Sequence, residues 1–132
     1  MTQTHRGSCH CGKVRFEIDL DLQGKASRCN CSICTKTMAT GASAKPSAFR
    51  LLTPESELAT YTMSPVATRY FCPTCGIHCF GKGDLPELGG AFVSVNLNTL
   101  DDIDVGQLTI SHWDGRHDNW HGGLREQPWP IA

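Results

Sequence analysis

The residues best suited to chemistry in this chain are its eight cysteines, and they come in an ordered pattern. Cys9 and Cys11 flank a histidine in GSCHCGKVRF. Cys29, Cys31 and Cys34 crowd into CNCSIC, Cys72 and Cys75 lie in FCPTCG, and Cys79 stands alone. Thiols this close either cross-link or hold a metal. Residues i and i+2 of an extended segment lie about 6.6–6.8 Å apart at Cα, at the upper edge of what a disulfide spans. A tetrahedral zinc, with Zn–S bonds of about 2.3 Å, bridges such a pair easily. Eight cysteines in 132 residues is about 6%, below the roughly 8–10% that marks a disulfide scaffold. Metal coordination is therefore the chemistry these spacings favour.

FCPTCG is the strongest half-site. Cys72 and Cys75 have the C-x2-C spacing of a zinc knuckle, and Gly76 permits the tight turn that aims backbone N–H groups at the sulfurs. Two further ligands are needed, and Cys9 with Cys11 or Cys29 with Cys31 can supply them. Four thiolates close a structural site; a set of three keeps one position open for water or substrate. A fourth ligand from Cys79, His10, His78 or His112 would instead make the second set structural. Cys79 is expected to be a small buried hydrophobe on the strand after the knuckle, with His78 exposed beside it.

The elements that must position these thiols read as β structure. Val14, Phe16 and Ile18 alternate with Arg15, Glu17 and Asp19, a period of two. Similar runs recur at 48–52, 58–63, 68–72, 77–80, 91–97 and 107–113, separated by prolines and glycines. No window sustains a 3.6-residue period, so helix is limited to a turn or two, at CSICTKTM and LDDID. One domain spanning residues 1–132 is expected.

Composition narrows the function. A net charge of −1 with interspersed signs gives no basic stripe for nucleic acid or anionic membrane. MTQTHRGS lacks an apolar run of signal-peptide length and no stretch could span a bilayer as a helix, so a cytoplasmic location is expected.

The three cysteine motifs in this order, extending through CFGKG and GGAFVSVNLNTLDD, resemble the glutathione-dependent formaldehyde-activating enzymes, a family sharing its domain with centromere protein V. The resemblance covers most of the chain. It implies a mainly β, Mss-like zinc-binding fold of several coiled antiparallel β-sheets with very little helix. It further implies a structural zinc on Cys9, Cys11, Cys72 and Cys75, and a second, catalytic zinc at Cys29, Cys31 and Cys34. The activity implied is that of a carbon–sulfur lyase resembling S-(hydroxymethyl)glutathione synthase. A glutathione-like thiol, held as thiolate at the open zinc, would add to formaldehyde or another small aldehyde. Three thiolates already neutralise the metal, so the acceleration expected is modest. The chain is shorter than the enzyme that names the family, and no segment is assigned to glutathione's two carboxylates.

The C-terminal HWDGRHDNWHGGLREQPWP holds all three tryptophans. It reads either as a wall recognising an anionic thiol through Arg116, His117 or Arg125, or as a packing tail in which Arg116 pairs with Asp114 or Asp118. Two other classes stand beside the enzyme: a non-catalytic zinc protein that carries glutathione, and a zinc-stabilised interaction domain. The lack of a basic extension argues against a chromatin role for the latter.

Overall fold

The computed structural model describes residues 1–132 and is mainly β, with one short α-helix. Strands β1 (Gln3–Ser8), β2 (Arg15–Leu20), β3 (Ser27–Cys29), β4 (Gly41–Ala44) and β5 (Phe49–Leu51) form the first half. Then follow β6 (Ala59–Tyr61), β7 (Ala67–Phe71), β8 (His78–Leu85), β9 (Gly90–Asn96) and β10 (Ser111–Trp113). They make two sheets. The smaller, β1-β2-β5, is antiparallel throughout. The larger runs β10-β3-β4-β9-β8-β7-β6 and is antiparallel except where β10 lies parallel to β3 at one edge. That parallel pair joins segments far apart in the chain, which no hairpin could do. No helix is long and apolar enough to cross a membrane.

The alternation along β2 sets the core. Phe16, Ile18 and Leu20 are buried while Arg15 is exposed, because successive side chains of a strand point to opposite faces. Glu17 and Asp19 carry the ion pairs of the outer face to Arg50. Phe16 meets Phe49 at 5.5 Å and Phe80 at 6.1 Å, and Tyr70 stacks on Phe80 at 4.8 Å. The two sheets thus share one aromatic core, closed by Val93, Val95 and Leu97 from β9 and the turn after it.

Several segments differ from the expectation. The polar β1, short β3 and small-residue β4 lack alternation and are held by pairing with partners elsewhere in the chain. The strand expected over 107–113 is only β10, preceded by a 3-10 turn at Val105–Gln107. LDDID forms no helix: Leu100 bridges to Gly7, and the Asp101 N–H donates to the Arg6 carbonyl at 2.8 Å, holding this stretch against β1. The helix expected in CSICTKTM is present as α1 (Ser32–Thr37).

Candidate functional site

The first thiol cluster forms where two turns meet. Cys9 follows β1, and its turn is closed by the Cys9 N–H to the Val14 carbonyl at 3.0 Å and the Val14 N–H to Cys9 Sγ at 3.2 Å. Cys72 follows β7, and the Gly76 N–H donates to the Cys72 carbonyl at 2.8 Å. Gly76 has φ 78°, a left-handed conformation that glycine adopts without a Cβ penalty. The Cys75 N–H reaches Cys72 Sγ at 3.5 Å. The sulfurs of Cys9, Cys11, Cys72 and Cys75 all lie within 4.8 Å of one another. Cys11 Sγ is 3.6 Å from both Cys9 Sγ and Cys72 Sγ. A tetrahedron with metal–sulfur bonds of about 2.3 Å has edges of about 3.8 Å, whereas a disulfide requires about 2.05 Å. The spacing fits zinc, and all eight cysteines are free.

Protonation favours the same conclusion. Burial disfavours the Cys75 thiolate, but backbone hydrogen bonds from Cys11 and Ile77 bring it down to about 6. The Cys11 thiol, despite a backbone hydrogen bond from Lys13, is pushed up to about 11 by burial and by its thiol neighbours. Four sulfurs this close cannot all ionise unaided, and a divalent cation removes the conflict.

The second cluster is built from one short stretch. Cys29 ends β3, Cys31 is the N-cap of α1, and Cys34 lies in its first turn. Their sulfurs also lie within 4.8 Å of one another, and all three residues are half-buried. They share protons unequally. Hydrogen bonds from Cys29 and Cys34 lower Cys31, whereas Cys29 and Cys31, with burial, raise Cys34. Neither cluster includes Cys79 or a histidine. Cys79 is fully buried, and burial next to the first cluster pushes its thiol up to about 12.

Asn30, between the first two thiols of this cluster, fixes it to the C-terminal segment. Its amide donates to Asp114 Oδ1 at 2.7 Å and to the Pro130 carbonyl at 3.2 Å. Its Oδ1 accepts from the Arg116 N–H at 2.9 Å, and its backbone carbonyl accepts from Arg116 Nε at 2.8 Å. Arg116 is therefore not paired with Asp114 or Asp118. Asp114 is buried, yet hydrogen bonds from Asn30, His117 and Asn119 overcome the burial cost and hold its carboxyl below the usual range. His117 Nδ1 lies 2.7 Å from Asp114 Oδ1. Arg125 stacks over Trp129 at 3.7 Å and donates to the Gln127 and Pro128 carbonyls. All three basic C-terminal residues thus have partners within the fold.

A cleft of about 320 Å3 opens onto the three thiols. Trp113 and Trp120, 5.8 Å apart, form one wall, and β7, β8 and β9 contribute Arg69, His78 and Asn96. Gly115 lets this wall approach: a Cβ there would meet Cys29 Sγ at 2.5 Å and the Trp120 ring at 2.8 Å. His78, expected to be exposed, is half-buried and stacks on Phe71 at 5.1 Å. Burial, then the Arg69 charge, lowers its pKa, so it is neutral at pH 7. A larger cleft, about 610 Å3, lies beside Phe49, Leu51 and Phe92. It contains no thiol or histidine, and its Lys82 is engaged by Glu55 at 2.6 Å, so the cysteine-lined cleft is the better candidate.

Sequence reasoning missed Arg69 and Asn30. Arg69 lies in a strand-like run with nothing to mark it; Asn30, inside CNC, could have been noticed as a polar residue between two ligand candidates.

Comparison with known proteins agrees with this geometry. Residues 4–116 match the model of the glutathione-dependent formaldehyde-activating enzyme family. A Halomonas elongata protein that carries the family's name is 51% identical over 35 residues, a match covering 26% of this chain and 22% of that relative. A Rhodobacter sphaeroides protein of known crystal structure aligns with a TM-score of 0.67 at 30% identity, over 76% of this chain and 92% of its own. With most of its length matched, the chain belongs to the glutathione-dependent formaldehyde-activating enzyme family.

Proposed function

We propose that this protein accelerates addition of a thiol, glutathione or a close relative, to formaldehyde or another small aldehyde, at the cleft over Cys29, Cys31 and Cys34. The observation that carries the reading is the contrast in ligand number: four thiols close one cluster, while three half-buried thiols face a cleft. A zinc ion on the three thiols would supply an open position that holds a thiol as thiolate at neutral pH.

The chain's own residues do the rest. Trp113 and Trp120 give one side of the cleft an apolar lining, beside which electrostatic interactions are stronger than in water. Asn30, clamped by Asp114 and Arg116, holds Cys29 and Cys31 in register with that wall. Neutral His78 lines the cleft and can take up the proton the thiol releases and return it to the alkoxide oxygen formed when sulfur adds to the carbonyl carbon, so that the addition has no net proton change.

Two measurements on zinc-loaded protein test the proposal: calorimetric titration with glutathione, and formaldehyde–glutathione exchange by NMR with and without protein. Binding with faster exchange is the expected result. Binding with unchanged exchange indicates a carrier, and neither indicates an interaction domain.

A further inference from the structure

Arg69 is the one residue of the cleft whose charge has no carboxylate partner. It lies on β7, is half-buried, and forms no ion pair; the single hydrogen bond of its side chain is Nη2 to Cys34 Sγ at 3.8 Å. The other arginines of the C-terminal wall are engaged by backbone carbonyls, and Arg50 is engaged by Asp19 and Glu17. No Asp or Glu lines the cleft, whereas Phe92, Trp113 and Trp120 do. A guanidinium withdrawn from water without a fixed anion is costly unless the site supplies one. The three thiols supply part of that charge, but Arg69 touches only one of them, which leaves most of its five N–H donors without a partner in the protein.

We propose that Arg69 is the specificity-determining residue of this cleft and favours, over glutathione itself, whose carboxylates lie farther from its sulfur, a thiol with a carboxylate one or two carbons from that sulfur. The proposal rests on the reading of the cleft as a thiol site. The reach follows from position: Arg69 contacts Cys34 Sγ itself, so a group bound at the three sulfurs has the guanidinium beside its first atoms. The planar fork of arginine matches a carboxylate in bidentate geometry, which gives selection by shape as well as charge.

The test uses two probes of equal size that differ in one charge, mercaptoacetate and mercaptoacetamide, titrated calorimetrically into zinc-loaded wild type, Arg69→Gln and Arg69→Lys. Wild type is expected to bind mercaptoacetate about tenfold more tightly, one charge-assisted hydrogen-bonded contact's worth. Arg69→Gln should lose that preference while keeping its zinc content and its affinity for the neutral thiol. Arg69→Lys should keep part of it, and added salt should erode it in wild type. A role limited to balancing thiolate charge would change zinc retention and leave the ratio between the two probes unmoved. Equal binding of both probes by wild type overturns the proposal without any variant and leaves the thiol site standing. A preference that survives Arg69→Gln also overturns it, since the carboxylate would then be chelating the metal. Failure of both thiols to bind wild type removes the thiol site together with the proposal.

Discussion

The two cysteine clusters use similar sequence spacings for different structural ends. Cys9 and Cys11 meet Cys72 and Cys75 across some sixty residues of chain, so the first cluster staples the end of β1 to the end of β7. Cys29, Cys31 and Cys34 lie within six residues, on β3 and the start of α1, and tie together little that hydrogen bonding does not already hold. Exposure differs within the first cluster, where Cys11 is exposed and Cys75 half-buried, more than within the second. Cys9 and Cys72 are buried, whereas every thiol of the second cluster is half-buried against a cleft. A metal that closes a long loop stabilises the fold, and one on a short loop is free to serve chemistry.

The largest effect should come from breaking the long-range staple. Structural zinc contributes about 10–16 kcal/mol in small peptides, as much as the ~5–15 kcal/mol that holds a domain together. Cys72→Ser or Cys9→Ser is expected to give insoluble or molten protein, read by circular dichroism melts. Cys31→Ser should remain folded with exchange reduced to the uncatalysed rate. Equal unfolding of both classes would erase the distinction between the clusters.

A smaller effect is expected at the clamp behind the second cluster. Asn30→Ala removes side-chain hydrogen bonds to Asp114, Pro130 and Arg116, and should cost about 1–3 kcal/mol in denaturant titration. Asp114 gives the pH signature. Its folded pKa is depressed, so its contribution is fully present above the unfolded carboxyl value of about 3.9 and is lost as pH falls below that through the folded value. The stability difference between wild type and Asp114→Asn should therefore be constant near neutrality and shrink only below about pH 4. A difference already lost at pH 6 would assign the effect to another group.

The smallest change is expected at Cys79, which neighbours the first cluster without joining it. Cys79→Ala should lower stability by about 1 kcal/mol through lost packing, with zinc content unchanged. Loss of one zinc equivalent would make Cys79 a ligand.

How far the sequence reached depended on whether a feature was local. The knuckle at Cys72, the alternation of β2 and the helical turn after Cys31 were legible because spacing and period act over a few residues. β1 and β4 were not: QTHRGS and GASA carry no alternating apolar signal, and become strands because β2 and β9 offer hydrogen-bonding edges. The same limit explains the site. The thiols were marked by residue type, but Arg69 reaches Cys34, and Asn30 reaches Asp114, only once the larger sheet, with β10 at one edge and β7 near the other, brings both strands to the rim of one cleft.

The division between the two clusters is tested most directly by the zinc stoichiometry of purified Cys34→Ser, measured by metal analysis beside wild type. Two zinc ions per chain in wild type and one in a variant that melts cooperatively near the wild-type temperature is the expected result. Two ions retained in the variant, or none, would contradict the assignment of one closed, stabilising site and one open, dispensable to the fold.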